Sequence, residues 1–299
     1  MCRISEVMVI ASIASGGSGC ARTDRALRRR RATGRLVAAR LAVFGATCFL
    51  GYVRGKASGV RVVAVIPAYN EGPSLPRVLT DLRDTALGSV ISDVIVVDDG
   101  SDDGTADIAE AFGARVLRLK ERLGVGSAMR AGIRYARCLG YRAVVRLDGD
   151  GQHGAHQIGA MLAPLDDRTT DAVCGARRRG SGGYSTPLVR RATQALLASL
   201  ISFMVDRRVT DPTSGFWAFG PRAVDLLAEH HPTGYPESEL ILLLQREGLR
   251  AIEIPVDMRV RASGQSTLTL LRAAMAVARA LLALLVVPIR SSEHGGHHE

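Results

Sequence analysis

Two carboxylates one residue apart close an otherwise apolar run: V-V-R-L-D-G-D-G-Q-H, from Val144 to His153, sets Asp148 and Asp150 on either side of Gly149. Such a turn offers an oxygen-rich site to a hard divalent cation, and Mg²⁺ is ordinarily held by one or two carboxylates together with substrate phosphates. Gly149 has no side chain to keep a ligand from the backbone, and Gln152 adds an amide oxygen. The chemistry these residues suggest is the handling of a metal-bound phosphate. A solvated turn can carry the same residues, so the case rests on position: ligands of open α/β sheets sit beyond the carboxyl ends of the strands.

The elements around the pair supply that position. V-R-V-V-A-V-I-P-A-Y-N-E reads as a buried strand over Val60 to Ile66, closed by Pro67, with Tyr69, Asn70 and Glu71 on the loop beyond. A helix follows, with Leu75, Val78, Leu79 and Leu82 at helical spacing. D-V-I-V-V-D-D-G-S-D-D-G-T is a second strand ending in Asp98 and Asp99. Ala114 to Leu119 is a third, Gly124 to Leu139 a helix, and Tyr141 to Leu147 the strand that delivers Asp148. Strands alternating with helices predict βαβ units, a mostly parallel sheet, and the three polar clusters on one edge, where a nucleotide would lie. G-V-G-S-A-M lacks the third glycine of a dinucleotide fingerprint and does not follow the first strand.

Farther on, Ala172 to Ala176 reads as a strand running into Arg177, and Thr186 to Val205 as a long apolar helix that opens with Arg190 and Arg191. T-D-P-T-S-G-F-W-A-F reads as a loop. Helices are expected near Pro221 to Glu229 and from Glu237 and Glu239 to Gly248, and a strand over Arg250 to Val256. Acids in a first turn also simply favour the helix dipole.

The 299 residues, 47% hydrophobic, suffice for one large core or two modest ones. The net charge of +10 is misplaced for a nucleic-acid groove, because residues 1–59 carry eleven Lys and Arg against two acids and the remainder is close to neutral. No nucleic-acid partner is expected. Residues 1–59 read as a basic, disordered extension, and Leu41 to Val53 is too short to span a bilayer. The five cysteines are scattered with no C-x-x-C spacing, which fits a reducing compartment. Residues 268–290 read as an amphipathic helix suited to a membrane surface, a membrane-protein partner or a second copy of the chain, and residues 291–299 as a disordered tail.

Taken together, V-I-P-A-Y-N-E, V-V-D-D-G-S-D-D-G-T, G-V-G-S-A, L-D-G-D-G-Q-H, G-A-R and D-P-T-S-G-F resemble the family 2 glycosyltransferases, in the branch of the dolichyl-phosphate and bacterial polyprenyl-phosphate enzymes. The resemblance covers about Arg61 to Leu268. It implies the GT-A fold over residues 60–267, with a nucleotide-sugar half, an acceptor half and an apolar C-terminal helix. It implies nucleotide-sugar contacts from Pro67, Tyr69, Glu71, Asp98, Asp99 and Asp148, and Mg²⁺ or Mn²⁺ on Asp148, Asp150 and Gln152. Arg177, Arg190 and Arg191 match positions facing the acceptor phosphate. R-V-R-A-S-G-Q-S-T-L matches a late loop that grips the donor through Arg261 and Ser266, with Thr267 where the family has lysine.

Two acceptor chemistries make different demands. A hydroxyl must lose a proton as it attacks, for which Glu237, Glu239 or Asp211 would be the base. A phosphate monoester is already anionic near neutral pH and needs cations to place it. The expectation is an inverting, metal-dependent transfer of a hexose to a polyprenyl phosphate or another lipid acceptor, peripheral on the cytoplasmic face of the cell membrane, with Asp150, Arg177 and Glu239 as catalytic residues. A sugar nucleotidyltransferase would carry a glycine-rich basic first loop where this chain has P-A-Y-N-E. A non-catalytic scaffold would have no need of the paired aspartates.

Overall fold

Runs of β-branched residues suit a pleated surface, and a strand covered on both faces need not alternate with polar residues. V-V-A-V-I-P-A is such a strand: it forms β1 (Val62–Ala68), with Val63 to Ile66 at 0% exposure. The computed structural model describes residues 61–85, 90–167, 169–178, 188–234 and 236–259, and the backbone alone for residues 188–191 and 193. The basic extension over 1–59, the loop with Arg261 and Ser266, the helix over 268–290 and the tail lie outside the described residues.

After β1 come α1 (Leu75–Asp84), β2 (Asp93–Asp98), α2 (Thr105–Ala111), β3 (Arg115–Arg118), α3 (Val125–Cys138) and β4 (Ala143–Arg146). The second half holds α4 (Ile158–Leu162), β5 (Ala172–Arg177), α5 (Leu188–Met204), β6 (Trp217–Phe219), α6 (Pro221–His230), α7 (Pro236–Arg246) and β7 (Ala251–Val256). The strands form one seven-stranded sheet in the order β3-β2-β1-β4-β6-β5-β7. Every pairing is parallel except those of β6, which runs antiparallel to β4 and β5.

Alternation along the strands divides the core between two faces. Val63, Val65, Ile95, Val97 and Val144 pack with buried residues of α3, α5, α6 and α7, while Ala64, Ile66, Val96 and Val145 pack with α1 and α4. The α1 residues at helical spacing, Leu75, Val78, Leu79 and Leu82, are the ones buried. α3 lies tight on the sheet because Gly132 has no side chain: a Cβ there would come within 2.6 Å of Val65 Cγ1 and 2.8 Å of Val97 Cγ2.

Two expectations change. β1 does not close at Pro67 but runs on to Ala68, because β4 stops pairing with β1 at Val65↔Arg146 while β2 continues alongside to Ala68↔Asp98. Proline is tolerated in a strand where the ladder does not call on its N–H. D-P-T-S-G-F-W-A-F is not all loop either, since Trp217–Phe219 forms the reversed strand β6, three residues long and too short for any periodicity to register. Its reversal matters to the site. Parallel direction already brings Ala68, Asp98, Arg146, Arg177 and Val256 to one edge, and the pairing of Trp217 with Arg146 and Cys174 brings the loop before β6 there as well.

Candidate active site

The loops after β1 and β2 are fastened to each other. Asn70 takes the left-handed conformation (φ 53°), one that asparagine tolerates better than most residues. Its N–H donates to Ser101 Oγ at 2.9 Å, and its Oδ1 accepts from the Asp102 N–H at 3.1 Å. The Glu71 N–H donates to Thr105 Oγ1 at 3.0 Å and that of Gly72 to Asp103 Oδ2 at 2.9 Å. Burial opposes the Asp103 charge, but hydrogen bonds from Thr105 and Gly72 outweigh it and hold the carboxyl below its ordinary range. Most of the polar residues in D-G-S-D-D-G-T thus build the platform, and few of the residues predicted to contact a nucleotide remain.

Those few are distinct. Tyr69 is 37% exposed, with the Arg122 guanidinium 4.0 Å above its ring. Asp98 is buried and accepts the Ser101 N–H at 3.1 Å through Oδ1. Asp99, expected beside the nucleotide, is buried, and its two oxygens accept the N–H groups of Leu123 and Gly124. Its observed partner is the entrance of α3. Glu71 accepts from Ser74 Oγ at 2.5 Å and stands over the paired aspartates, where a Cβ on Gly149 would lie 3.2 Å from its Cγ.

At the paired aspartates the structure supplies three residues that sequence reasoning missed. Arg146, the last residue of β4, is 1% exposed, and its Nη2 lies 3.3 Å from Asp148 Oδ1 and 2.7 Å from Glu237 Oε1. His153 stacks on Phe216 with ring centroids 5.0 Å apart, and its Nδ1 accepts the Asp148 N–H at 3.1 Å. Gly215 leaves the Asp148 carboxylate its space, since a Cβ there would sit 2.2 Å from Oδ2. The available signals were slight: an arginine inside an apolar strand, and a glycine in an aromatic loop. Burial raises the Asp148 carboxyl, but the Arg146 charge beside it outweighs burial and holds it below the usual carboxylate range. Burial lowers the His153 pKa and keeps the ring neutral.

Asp150 is only 5% exposed because its turn is packed from below and above. Its Oδ1 accepts the Gln152 N–H at 3.0 Å, Gly151 lies over Val78, and His153 bridges to Met258. The Arg259 N–H donates to the Gln152 carbonyl at 2.9 Å, and its guanidinium pairs with Asp81 at 2.9 Å. The segment after β7 therefore packs against the turn that carries Asp148 and Asp150.

Arg177, expected to face an acceptor, ends β5 with its side chain 39% exposed and its Nε 3.3 Å from Asp211 Oδ2. Asp211 is fully engaged: Oδ2 also accepts the Arg177 N–H at 3.2 Å, and Oδ1 accepts Thr213 Oγ1 at 2.9 Å and the Thr213 N–H at 3.3 Å. Glu253 on β7 holds this loop through the N–H groups of Thr210 and Asp211. Glu237 and Glu239 occupy the first turn of α7, Glu237 bound to Arg146. Arg190 and Arg191 lie in the first turn of α5, where only the backbone is described.

Among the described residues no group of three or more His, Cys, Asp and Glu is arranged to hold a metal by itself. Two carboxylates on one turn, with Gln152 beside them, fit a cation that takes its remaining oxygens from a diphosphate. Asp148 and Asp150 are the residues that would hold it.

Comparison with known proteins agrees with this geometry. Residues 63–226 match the model of Glycosyl transferase family 2. The undecaprenyl-phosphate mannosyltransferase of Micrococcus luteus is 35% identical over 220 residues, covering 70% of this chain and 88% of that protein. The polyprenol monophosphomannose synthase of Mycolicibacterium smegmatis is 26% identical, covering 70% of this chain and 81% of that protein. Among solved structures, mannosyl-3-phosphoglycerate synthase from Rubrobacter xylanophilus shares the fold with a TM-score of 0.60 at 23% identity, covering 81% of this chain and 78% of its own. Glucosyl-3-phosphoglycerate synthase from Mycobacterium tuberculosis, crystallised with Mn²⁺, UDP and phosphoglyceric acid, matches at a TM-score of 0.58 and 25% identity, over 77% of this chain and 78% of that one.

Proposed function

Because the chain belongs to glycosyl transferase family 2, we propose that it transfers a hexose from a nucleotide sugar to a polyprenyl phosphate, with inversion at the anomeric carbon. The observation that carries the choice of acceptor is the state of Arg177 and its neighbours. A partly exposed guanidinium stands at the end of β5, and the carboxylate beside it, Asp211, has both oxygens occupied and is poorly placed to act as a base. Glu237, a second candidate base, is bound to Arg146. A cation without a free base beside it suits an acceptor that arrives already charged.

In this reading Tyr69 and Asp98 face the nucleoside, Glu71 the region above the diphosphate, and Asp148 and Asp150 hold Mg²⁺ or Mn²⁺. When bound there, the cation would supply stabilisation of the negative charge on the leaving diphosphate. Arg177, with Arg190 and Arg191, orients the phosphate monoester, and planar guanidinium groups bind phosphate oxygens two at a time. One acceptor oxygen forms the new bond to the anomeric carbon as the bond to the diphosphate oxygen breaks. Nucleoside diphosphate leaves, and no proton has to move. Asp150 and Arg177 act at the two ends of this displacement, and Glu239 would be called on only by a hydroxyl acceptor.

Among the described residues no helix is long and apolar enough to cross a membrane. A lipid acceptor would call for binding at the inner face of the membrane, and the apolar sequence of residues 268–290 is suited to aid it, alone or with a second copy or a membrane-protein partner. The names of the relatives support the lipid phosphate. Incubation with a panel of labelled nucleotide sugars and a lipid extract tests the proposal: one donor is expected to deliver its label to the organic phase, and label recovered only in water-soluble glycosides would reject it.

A further inference from the structure

Arg146 is difficult to explain by stability alone. It stands in the apolar strand A-V-V-R at 1% exposure, and its Nε and Nη1 are buried without a hydrogen-bond partner. Buried ion pairs contribute little over well-packed apolar residues, and unpaired polar atoms in such a place are costly. Nη2 makes the polar contacts, reaching one oxygen of Asp148 and one of Glu237. Arg146 is therefore balanced by two carboxylates, one on the metal turn and one on the first helical turn of the acceptor half.

The two carboxylates compete for one cation. Without Glu237, the whole Arg146 charge would fall on Asp148 and draw its oxygens away from a divalent ion; with it, part of that charge is taken up elsewhere. We propose that Glu237 is a positioning residue that acts through Arg146 to keep Asp148 available to the divalent cation, rather than the base that deprotonates an acceptor. The inference rests on the assignment of the metal to Asp148 made above.

Calorimetric titration of Mn²⁺ in the presence of UDP or GDP tests it on the full chain. Asp148→Asn first tests the assignment beneath it: unchanged Mn²⁺ affinity in that variant removes the assignment and the inference together. If Asp148→Asn loses Mn²⁺, Glu237→Gln is expected to raise the Kd about tenfold, the scale of one charge acting over a few ångströms in a protein site, with kcat at saturating Mn²⁺ within about threefold of the parent. In an Arg146→Met background the same Glu237→Gln change is expected to leave Kd unaltered, because the intermediary is gone. Should Arg146→Met fail to fold, the Glu237→Gln comparison decides by itself. An unaltered Kd with a collapse of kcat would make Glu237 the base and overturn the inference while leaving the metal assignment intact.

Discussion

Asp99 accepts the N–H of Leu123 at 2.7 Å and that of Gly124 at 2.8 Å, so the carboxylate after β2 fixes the entrance to α3. Asp99→Asn turns an amide donor toward one of those N–H groups. The expected cost is about 1–3 kcal/mol for a buried unsatisfied group, read as a drop in Tm of roughly 2–4 °C per kcal/mol for a domain of this size. An unchanged Tm together with lost donor affinity would instead make Asp99 a direct nucleotide contact.

Gly215→Ala places a methyl where the Asp148 carboxylate lies, within 2.2 Å of Oδ2. What must yield is the end of a side chain and not the backbone, so the fold should survive. Mn²⁺-dependent binding of nucleoside diphosphate is expected to weaken at least about tenfold, roughly 1.4 kcal/mol, with circular dichroism unchanged. Full affinity in the variant would show that Asp148 does not need this orientation.

His231 is 2% exposed, and burial, reinforced by the Arg146 charge, lowers it to about 4. In the unfolded chain it titrates near 6.5. Below that pH the unfolded state gains a proton that the native state refuses until about pH 4, so stability falls as pH drops through this window. Between pH 6.5 and pH 5 the loss is about 1.5 kcal/mol from this residue. Urea unfolding at pH 7 and pH 5 reads it, and His231→Gln should remove that part of the slope. Equal slopes in the two proteins would contradict the assignment.

Arg177→Ala is expected to raise the KM for a lipid phosphate or lower kcat by about tenfold or more, while donor affinity stays constant. Its pairing with the buried Asp211 adds a smaller loss of stability, because the guanidinium is 39% exposed and solvent screens it. Steady-state kinetics with both substrates varied separate the two effects. A change confined to the donor KM would place Arg177 on the wrong half of the site.

Much of this site was legible because strand ends and polar clusters coincide in the sequence. Asp98, Asp148 and Arg177 each close or follow a run of buried apolar residues, and parallel topology then brings them to one edge. What stayed hidden depends on contacts between residues distant in the chain. Nothing near Glu237 announces that its partner is Arg146, 91 positions earlier. Asp98 and Asp99 are chemically alike and adjacent, yet one binds its own loop and the other the entrance of α3. β6 escaped because three residues carry no period, and with it went the reason Gly215 faces Asp148.

The most direct test of the central claim is transfer from the productive labelled donor to a matched pair of lipids, a polyprenyl phosphate and the corresponding polyprenol, with Mn²⁺ or Mg²⁺ present. The account predicts label on the phosphate, dependence on the divalent cation, and no more than a trace on the alcohol, because Arg177 places a charge and the neighbouring carboxylate Asp211 is already occupied. Equal transfer to the alcohol, abolished by Glu239→Gln, would contradict it and make the acceptor a hydroxyl.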